Sequence, residues 1–226
     1  MQCHAYMTFL TLLSTGNLSM LLLVATPEEG GEVVPDLERM MISGHSRGGK
    51  VAYAMALGLL QSKSQDQHVK YVGLFALDPV DGAGKPMEPP IVTRDDVDLA
   101  FPVFILGTEY GSQCALPCAP PCCSHSAYAK VTRAEWKYHV KALEYGHMDF
   151  LDDSWCWPSI MCKRGNDKER LRKVSAALLL SFFESVLTGS RASLVDAISN
   201  ASIRLDLELS STTPSWSTTN LNVCPA

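Results

Sequence analysis

The chain has 226 residues, which is enough for one sizeable domain with a core of its own. Hydrophobic residues make up 46% of the sequence and charged residues 19%, a balance that is ordinary for a soluble globular protein. The net charge is −5 and no long basic run is present, which argues against nucleic acid as the main partner.

The first apolar segment, residues 7–25, carries no charge and has nearly the length of a membrane span. One interpretation is a signal or an anchor, although no basic residue precedes the segment, as a secretory signal requires. The other is a pair of short apolar elements joined by a turn at residues 14–17, where polar residues interrupt the run. Residues 18–25 then form a buried strand.

Four further apolar runs, each bounded by turn residues, predict strands at 39–43, 71–77, 101–107 and 136–143. Small and apolar residues at helical spacing follow the first of these runs and predict a helix after Gly49. A final helix is expected over about 167–187, with a stop at Gly189. Because strands alternate with helices, we predict an α/β fold with a mostly parallel sheet.

We expect a single domain over residues 1–205 and a disordered, Ser/Thr-rich tail over residues 206–226. Two connections, 78–100 and 108–135, are unusually long, and both follow the C-terminal ends of predicted strands. Long loops in a compact domain are usually functional, and open α/β sheets bind ligands at this edge.

Six of the eight cysteines lie within residues 114–162. Their spacing, Cys114-x3-Cys118-x3-Cys122-Cys123 followed by Cys156-x5-Cys162, lacks the paired C-x2-C of a zinc site, so no metal site is predicted. The residues alone do not decide between reduced thiols and local disulfides.

The motif Gly44-x-Ser46-x-Gly48 lies between a predicted strand and a predicted helix, which is typical of the nucleophile elbow of a hydrolase. The serine occupies a strained turn, so the residues two positions away must lack side chains. Its hydroxyl projects above the sheet, and the backbone N–H of Arg47 points at an incoming carbonyl oxygen. A phosphate-binding turn at a helix N-terminus is disfavoured because no Walker or dinucleotide spacing accompanies the motif.

A serine nucleophile needs a base, and in α/β-hydrolases the chain order is serine, acid, histidine. His147 follows the last predicted strand, where the base is expected. The other five histidines precede or flank Ser46, or lie in a polar turn, in the cysteine-rich loop or inside a strand. For the acid, Asp78 ends one strand and Glu109 ends the next. The residues alone favour Asp78 by a small margin, with Asp81, Asp149, Asp152 and Asp153 as further neighbours.

Five segments in chain order resemble the plant chlorophyllases, α/β-hydrolase esterases that cleave the phytyl ester of chlorophyll. They are GHSRGGK, ALDPVDGAGK, PCAP, EYGHMDFLDD and MCKRGN, within about residues 36–190. The resemblance implies an α/β-hydrolase core with Ser46 as nucleophile, Asp78 as acid and His147 as base. It favours Asp78 over Glu109 because the family's acid lies in the DPV element. Cys118 and Cys162 match family positions and are expected to pack or cross-link the long loops.

The resemblance also implies a reaction: acyl transfer that converts chlorophyll to chlorophyllide and phytol. No cofactor and no catalytic metal is needed, because the magnesium belongs to the substrate. Chlorophyll is the expected partner, and association with a membrane surface is compatible with it. The chloroplast is the expected location, with the cytosol or endomembrane as alternatives. A general lipase or carboxylesterase, or a catalytically impaired remnant, remain alternative functions.

The chain departs from the family before the elbow, where only 45 residues precede Ser46. Chlorophyllases have more chain there, including a His-Gly loop that supplies a second oxyanion N–H, and no such loop precedes Gly44. Loss of one oxyanion donor costs roughly a hundredfold to a thousandfold in rate. We therefore expect a truncated or divergent relative that lacks N-terminal strands, with a five-stranded sheet and an exposed strand edge.

Overall fold

The structure is a computed structural model that describes residues 6–14, 18–26, 36–59, 70–82, 90–113, 124–151, 162–204 and 207–211. The strands are β1 (Tyr6–Ser14), β2 (Leu18–Thr26), β3 (Met40–His45), β4 (Tyr71–Leu77), β5 (Val97–Leu99), β6 (Val103–Thr108), β7 (Thr132–Ala134), β8 (Lys137–Ala142) and β9 (Leu207–Ser211). The helices are α1 (Arg47–Ala56), α2 (His125–Val131), α3 (Lys168–Thr188) and α4 (Ala192–Arg204), with a 3₁₀ helix at His147–Phe150.

Seven of the described strands form one sheet in the order β1-β2-β3-β4-β6-β8-β9. Its central strands β3, β4, β6 and β8 are parallel, while β1, β2 and β9 pair antiparallel with their neighbours. The predicted α/β architecture is confirmed, and each of the five predicted strands is present with ends shifted by a few residues. The carboxyl ends of parallel strands lie at the same edge of a sheet. The residues that follow β3, β4, β6 and β8 are therefore close together at this edge.

The N-terminal part of the sheet holds more strands than the sequence analysis predicted. β1 and β2 are paired antiparallel from Tyr6–Thr26 to Ser14–Leu18, and β2 pairs antiparallel with β3. The two-element interpretation of residues 7–25 is thereby confirmed, although residues 15–17 lie outside the described residues. The five-strand expectation is wrong because antiparallel neighbours need only a short turn, whereas parallel neighbours need a crossover of a dozen residues or more. No helix in the described ranges is both long and apolar enough to cross a membrane.

The opposite edge of the sheet is closed by a segment that the sequence analysis assigned to the disordered tail. β9 pairs antiparallel with β8, with Leu207 opposite Ala142 and Leu209 opposite Val140. The Lys141 ammonium lies 2.5 Å from the Glu208 carboxylate. The tail prediction is therefore wrong for residues 207–211, because their backbone groups pair with a strand edge that β8 would otherwise expose. Residues 212–226 lie outside the described residues.

The core lies on both faces of the sheet. Consecutive residues of a strand point to opposite faces. Phe75 and Phe104 therefore pack with Phe182 of α3 on one face, while Leu74 and Ile105 pack with α1 and α2 on the other. This burial on both faces explains why the central strands read as continuous apolar runs.

The helix and loop predictions had a mixed outcome. α3 begins after Asp167, whose carboxylate accepts a hydrogen bond from the Arg170 N–H (3.0 Å), and it ends at Gly189 in the left-handed conformation (φ 72°). That prediction is confirmed. The long connections contain elements that were not predicted: α2, and the small parallel sheet of β5 and β7. The helix α4 was also not predicted.

Two leucines on α3 provide a matched test of this packing. Leu178 is fully buried, whereas Leu180 is 41% exposed. Leu178→Ala should lower the free energy of unfolding by about 3 kcal/mol, because it removes buried methyl groups and leaves a cavity. Leu180→Ala should cost less than about 1 kcal/mol. Urea unfolding of both variants measures the difference, and equal costs would contradict the assignment of the buried face of α3.

Candidate active site

Ser46 lies in a sharp turn between the end of β3 and the start of α1. Its backbone has φ 59° and ψ −124°, a conformation that costs a non-glycine residue about 1–3 kcal/mol. Hydrogen bonds on both sides hold the turn. The Ser46 N–H donates to the Leu77 carbonyl (3.0 Å), and the Ser46 carbonyl accepts from Gly49 (3.0 Å) and Val80 (3.1 Å). The strand–turn–helix context predicted for the elbow is therefore present.

The glycine spacing of the motif has a direct steric cause. A Cβ atom added at Gly44 would lie 2.2 Å from the Gly48 carbonyl oxygen, which is far inside van der Waals contact. The first turn of α1, at Gly48, therefore passes directly over the end of β3. Gly44 thus has no room for a side chain, as the sequence analysis expected.

Ser46, His147 and Asp78 form one chain of hydrogen bonds. The Ser46 Oγ lies 2.8 Å from His147 Nε2, and His147 Nδ1 lies 2.7 Å from Asp78 Oδ2. The three residues follow β3, β8 and β4, whose carboxyl ends share one edge of the sheet. Asp78 and His147 are 2% and 3% exposed, while Ser46 is partly exposed. With Nδ1–H donating to the carboxylate, Nε2 is the acceptor for the serine hydroxyl.

The Asp78 carboxylate is buried but well supplied with donors. The Thr108 N–H donates to Oδ1 (3.2 Å) and the Thr108 hydroxyl donates to Oδ2 (2.9 Å). Burial raises the pKa of Asp78, but the hydrogen bond and charge of His147, together with His125 and Thr108, outweigh it and hold the pKa at about 2. Asp78 is thus ionised at neutral pH and can stabilise a protonated His147.

The other acidic residues considered from the sequence make different contacts. Glu109 accepts a hydrogen bond from the Glu144 N–H (2.8 Å) in an exposed position. Asp81 accepts from the backbone of Ile91 and Thr93, and Asp149 accepts from Gly146 and Gly165. Asp152 and Asp153 lie outside the described residues. Asp78 is the carboxylate that contacts His147 in the described part of the chain.

His45 contacts His147, which the sequence analysis did not anticipate. Its Nε2–H donates to the backbone carbonyl of His147 (2.9 Å), and the two rings lie 4.7 Å apart between centroids. Burial, followed by the charge of His147, lowers the pKa of His45 to about 3, against the opposing effect of Asp78. The neutral ring therefore holds the backbone of His147 beside the elbow. Its place next to Ser46 is the sequence signal that could have indicated this contact.

A buried ion pair supports the segment that follows Asp78. The Lys50 ammonium of α1 lies 3.5 Å from Asp81 Oδ1, and Asp81 is fully buried. The Thr93 hydroxyl donates to the same carboxylate (2.9 Å). These contacts connect α1, the end of β4 and the segment at Thr93.

Arg47 is the first residue of α1, and its side chain is exposed. The first N–H groups of a helix point away from it and favour negative charge. The assignment of the Arg47 N–H to an oxyanion site stays a prediction.

Cys162 is disulfide-bonded and 6% exposed, so the expectation that it packs or cross-links a loop is confirmed. The next residue, Lys163, donates its backbone N–H to the Gln113 carbonyl (3.0 Å) and places its ammonium 3.5 Å from the centre of the Tyr110 ring. These contacts of Lys163 therefore join the segment that follows β6 to the segment that precedes α3. Cys114, Cys118, Cys122, Cys123 and Cys156 lie outside the described residues.

Comparison with known proteins shows similarity to one family over most of the chain. The family model described as Chlorophyllase matches residues 14–212. Chlorophyllase-2 of Arabidopsis thaliana is 32% identical over 182 residues, which are 73% of this chain and 55% of that protein. Chlorophyllase-1 of Arabidopsis thaliana is 34% identical over 164 residues (67% and 50%), and the protein of Citrus unshiu named "Chlorophyllase-1, chloroplastic" is 30% identical over 159 residues (66% and 45%). The chain spans about half the length of these relatives.

The close contact at Gly44 predicts the effect of a single methyl group. Gly44→Ala should destabilise the fold by more than about 2 kcal/mol, because either the backbone at Gly48 or the elbow itself has to move. Gly58→Ala is the control. Gly58 has φ 68° but no atom within 4 Å of an added Cβ, so the cost is the conformational one of about 1 kcal/mol. Denaturant unfolding compares the two, and a Gly44→Ala variant as stable as Gly58→Ala would contradict the steric account.

Proposed function

Because this chain belongs to the chlorophyllase family, we propose that it is a serine esterase that hydrolyses chlorophyll to chlorophyllide and phytol. The observation that carries the proposal is the continuous hydrogen-bonded chain from Ser46 through His147 to Asp78. A hydroxyl, an imidazole and an ionised carboxylate in this order are the groups that acyl transfer needs.

The proposed reaction begins when His147 Nε2 takes the proton of the Ser46 hydroxyl. The Ser46 Oγ then attacks the ester carbonyl carbon and forms a tetrahedral intermediate with a negatively charged oxygen. This intermediate collapses to an acyl-enzyme, and the alcohol leaves with the proton that His147 returns. Water, activated by the same nitrogen, attacks the acyl group and releases the acid and the free serine.

Two groups stabilise the charges that this reaction creates. Asp78 accepts the Nδ1–H of His147, so it fixes the required tautomer and lies against the imidazolium that forms in each half of the reaction. The Arg47 N–H at the start of α1 is proposed to donate to the oxyanion. Asp78 therefore stabilises the positive charge on His147, and the Arg47 N–H stabilises the negative charge on the substrate oxygen.

The substrate and the location rest on the family. Relatives named chlorophyllases support chlorophyll as the ester that is cleaved, with phytol as the leaving alcohol. A membrane-derived substrate of this kind favours a protein that works at a membrane surface. The relative named chloroplastic supports the chloroplast as the location.

Replacement of the nucleophile or the base tests the proposal directly. Ser46→Ala and His147→Ala should each lower kcat for chlorophyll hydrolysis by about four to six orders of magnitude, and the double variant should be no worse, because the groups act as a unit. Ser199→Ala, on the exposed surface of α4, is the control and should keep full activity. Release of chlorophyllide measures the rate. Retention of more than about a tenth of the activity in Ser46→Ala would rule out the mechanism. Hydrolysis of short esters alone would identify a general carboxylesterase instead.

The two candidate acids can be separated by isosteric changes. Asp78→Asn should lower kcat by about four orders of magnitude, because an amide can stabilise the wrong tautomer of His147 and carries no charge. Glu109→Gln should change kcat by less than about threefold, since Glu109 contacts the backbone at Glu144. Steady-state kinetics on both variants gives the ranking. The reverse ranking would place the acid after β6 and overturn the assignment of Asp78.

A further inference from the structure

A second pair of histidines, His125 and His139, lies beside Asp78. His125 is the first residue of α2 and His139 lies in β8, and each is 6% exposed. His125 Nδ1 lies 2.9 Å from His139 Nε2, with 5.1 Å between ring centroids. The reaction described above uses neither ring. Two buried imidazoles in contact with each other and with the acid call for a physical role.

His125 faces the oxygen of Asp78 that His147 does not contact. Its Nε2 lies 4.0 Å from Asp78 Oδ1, while Oδ2 accepts from His147 and from the Thr108 hydroxyl. This separation is longer than a hydrogen bond but well inside the range of an electrostatic interaction in a buried site. The state of the His125 Nε2 atom therefore affects the carboxylate directly.

The position of the ring is set by the strand that carries Thr108. A Cβ atom added at Gly107 would lie 2.2 Å from His125 Nδ1, so the ring packs against the bare backbone of β6. The adjacent Thr108 supplies two of the donors to Asp78. The same short segment, Gly107 and Thr108 of β6, therefore positions both the ring of His125 and the hydrogen-bond donors to Asp78.

The contact between the two rings allows only two arrangements of the shared proton. If His125 Nδ1–H donates to His139, then a neutral His125 presents the lone pair of Nε2 to the Asp78 anion, which is repulsive. If His139 Nε2–H donates to His125, then His125 presents an N–H to Asp78, which is attractive.

Both rings are neutral at neutral pH. Burial lowers the pKa of His139 to about 3, and the charges of His125, Lys137 and Lys141 act in the same direction. Burial likewise lowers the pKa of His125, against the opposing effect of Asp78. The interaction with Asp78 is therefore one of a dipole with an anion, and its sign depends on the tautomer.

We propose that His125 is a positioning residue for Asp78: the dipole of its Nε2–H, 4.0 Å from Oδ1, favours the orientation of the carboxylate that directs Oδ2 at His147, and His139 fixes the tautomer of His125 that allows this. The proposal rests on the proposed function, because it assigns a role toward the acid of that reaction. No hydrogen bond or ion pair among the described residues joins His125 to Ser46 or His147, so we expect its replacement to change kcat and not KM.

Three variants separate positioning from packing. His125→Phe keeps a ring of similar shape but removes the N–H, and it should lower kcat about tenfold with KM changed less than twofold. His125→Gln keeps a donor at similar reach and should restore kcat to within about threefold of the unmodified chain. His139→Phe removes the donor that fixes the tautomer and should lower kcat about threefold. Equal losses in His125→Phe and His125→Gln, tracking their loss of stability in urea, would overturn the proposal.

A measurement on the unmodified chain needs neither a variant nor turnover. Long-range ¹H–¹⁵N correlation of the histidine rings at pH 7 should show His125 protonated at Nε2 and unprotonated at Nδ1. A proton on Nδ1, or on both nitrogens, would overturn the proposal.

The Nδ1–H proton of His147 reports the bond to Asp78 without turnover. It should resonate at low field in the unmodified chain, shift toward higher field in His125→Phe and return in His125→Gln. Absence of chlorophyll hydrolysis by the unmodified chain would count against the proposed function alone, because these resonances test the arrangement around Asp78 independently. An unchanged His147 resonance in His125→Phe would contradict the positioning role.

Discussion

The hydrogen bond between His147 Nδ1 and Asp78 Oδ2 is the interaction on which the rest of the site depends. A buried carboxylate costs several kcal/mol unless it is paired and hydrogen-bonded. Asp78 is 2% exposed, and His147 and Thr108 supply its partners from the ends of β8 and β6. The need to satisfy this one anion therefore brings the ends of three parallel strands together, and the serine is placed at the end of a fourth.

The strained backbone at this edge is held by the same strands. Ser46 and Asp78 both have positive φ, 59° and 40°. Each is fixed by backbone hydrogen bonds to the neighbouring strand: Ser46 N–H to Leu77, and Asp78 N–H to Leu106. The parallel register of β3, β4 and β6 thus compensates for conformations that would be unfavourable alone. The Lys50–Asp81 ion pair adds a second connection between α1 and the end of β4.

The sequence indicated the centre of the fold better than its edges. The runs that became β3, β4, β6 and β8 are buried on both faces, so their apolar composition and turn boundaries were sufficient, and chain order then pointed to Ser46, Asp78 and His147. β9 is short, and it forms by pairing with β8, in which Ala142 lies opposite Leu207 although the two residues are 65 positions apart in the chain. The roles of His45, His125 and His139 depend on tertiary contacts for which no spacing in the sequence is diagnostic. Glu109 and Asp78 were nearly equivalent by chain position; the family resemblance favoured Asp78, and in the structure it is Asp78 that contacts His147 while Glu109 contacts the Glu144 backbone.

The central claim is that the geometry around Asp78 and His147 makes one serine hydroxyl nucleophilic. The most direct test is covalent labelling of the 226-residue chain with a fluorophosphonate, a reagent that reacts with activated serines, followed by peptide mass spectrometry. The account predicts one adduct, on Ser46, that is lost when the chain is first unfolded in urea. The absence of an adduct on Ser46 in the folded chain, or equal labelling of other serines, would contradict it.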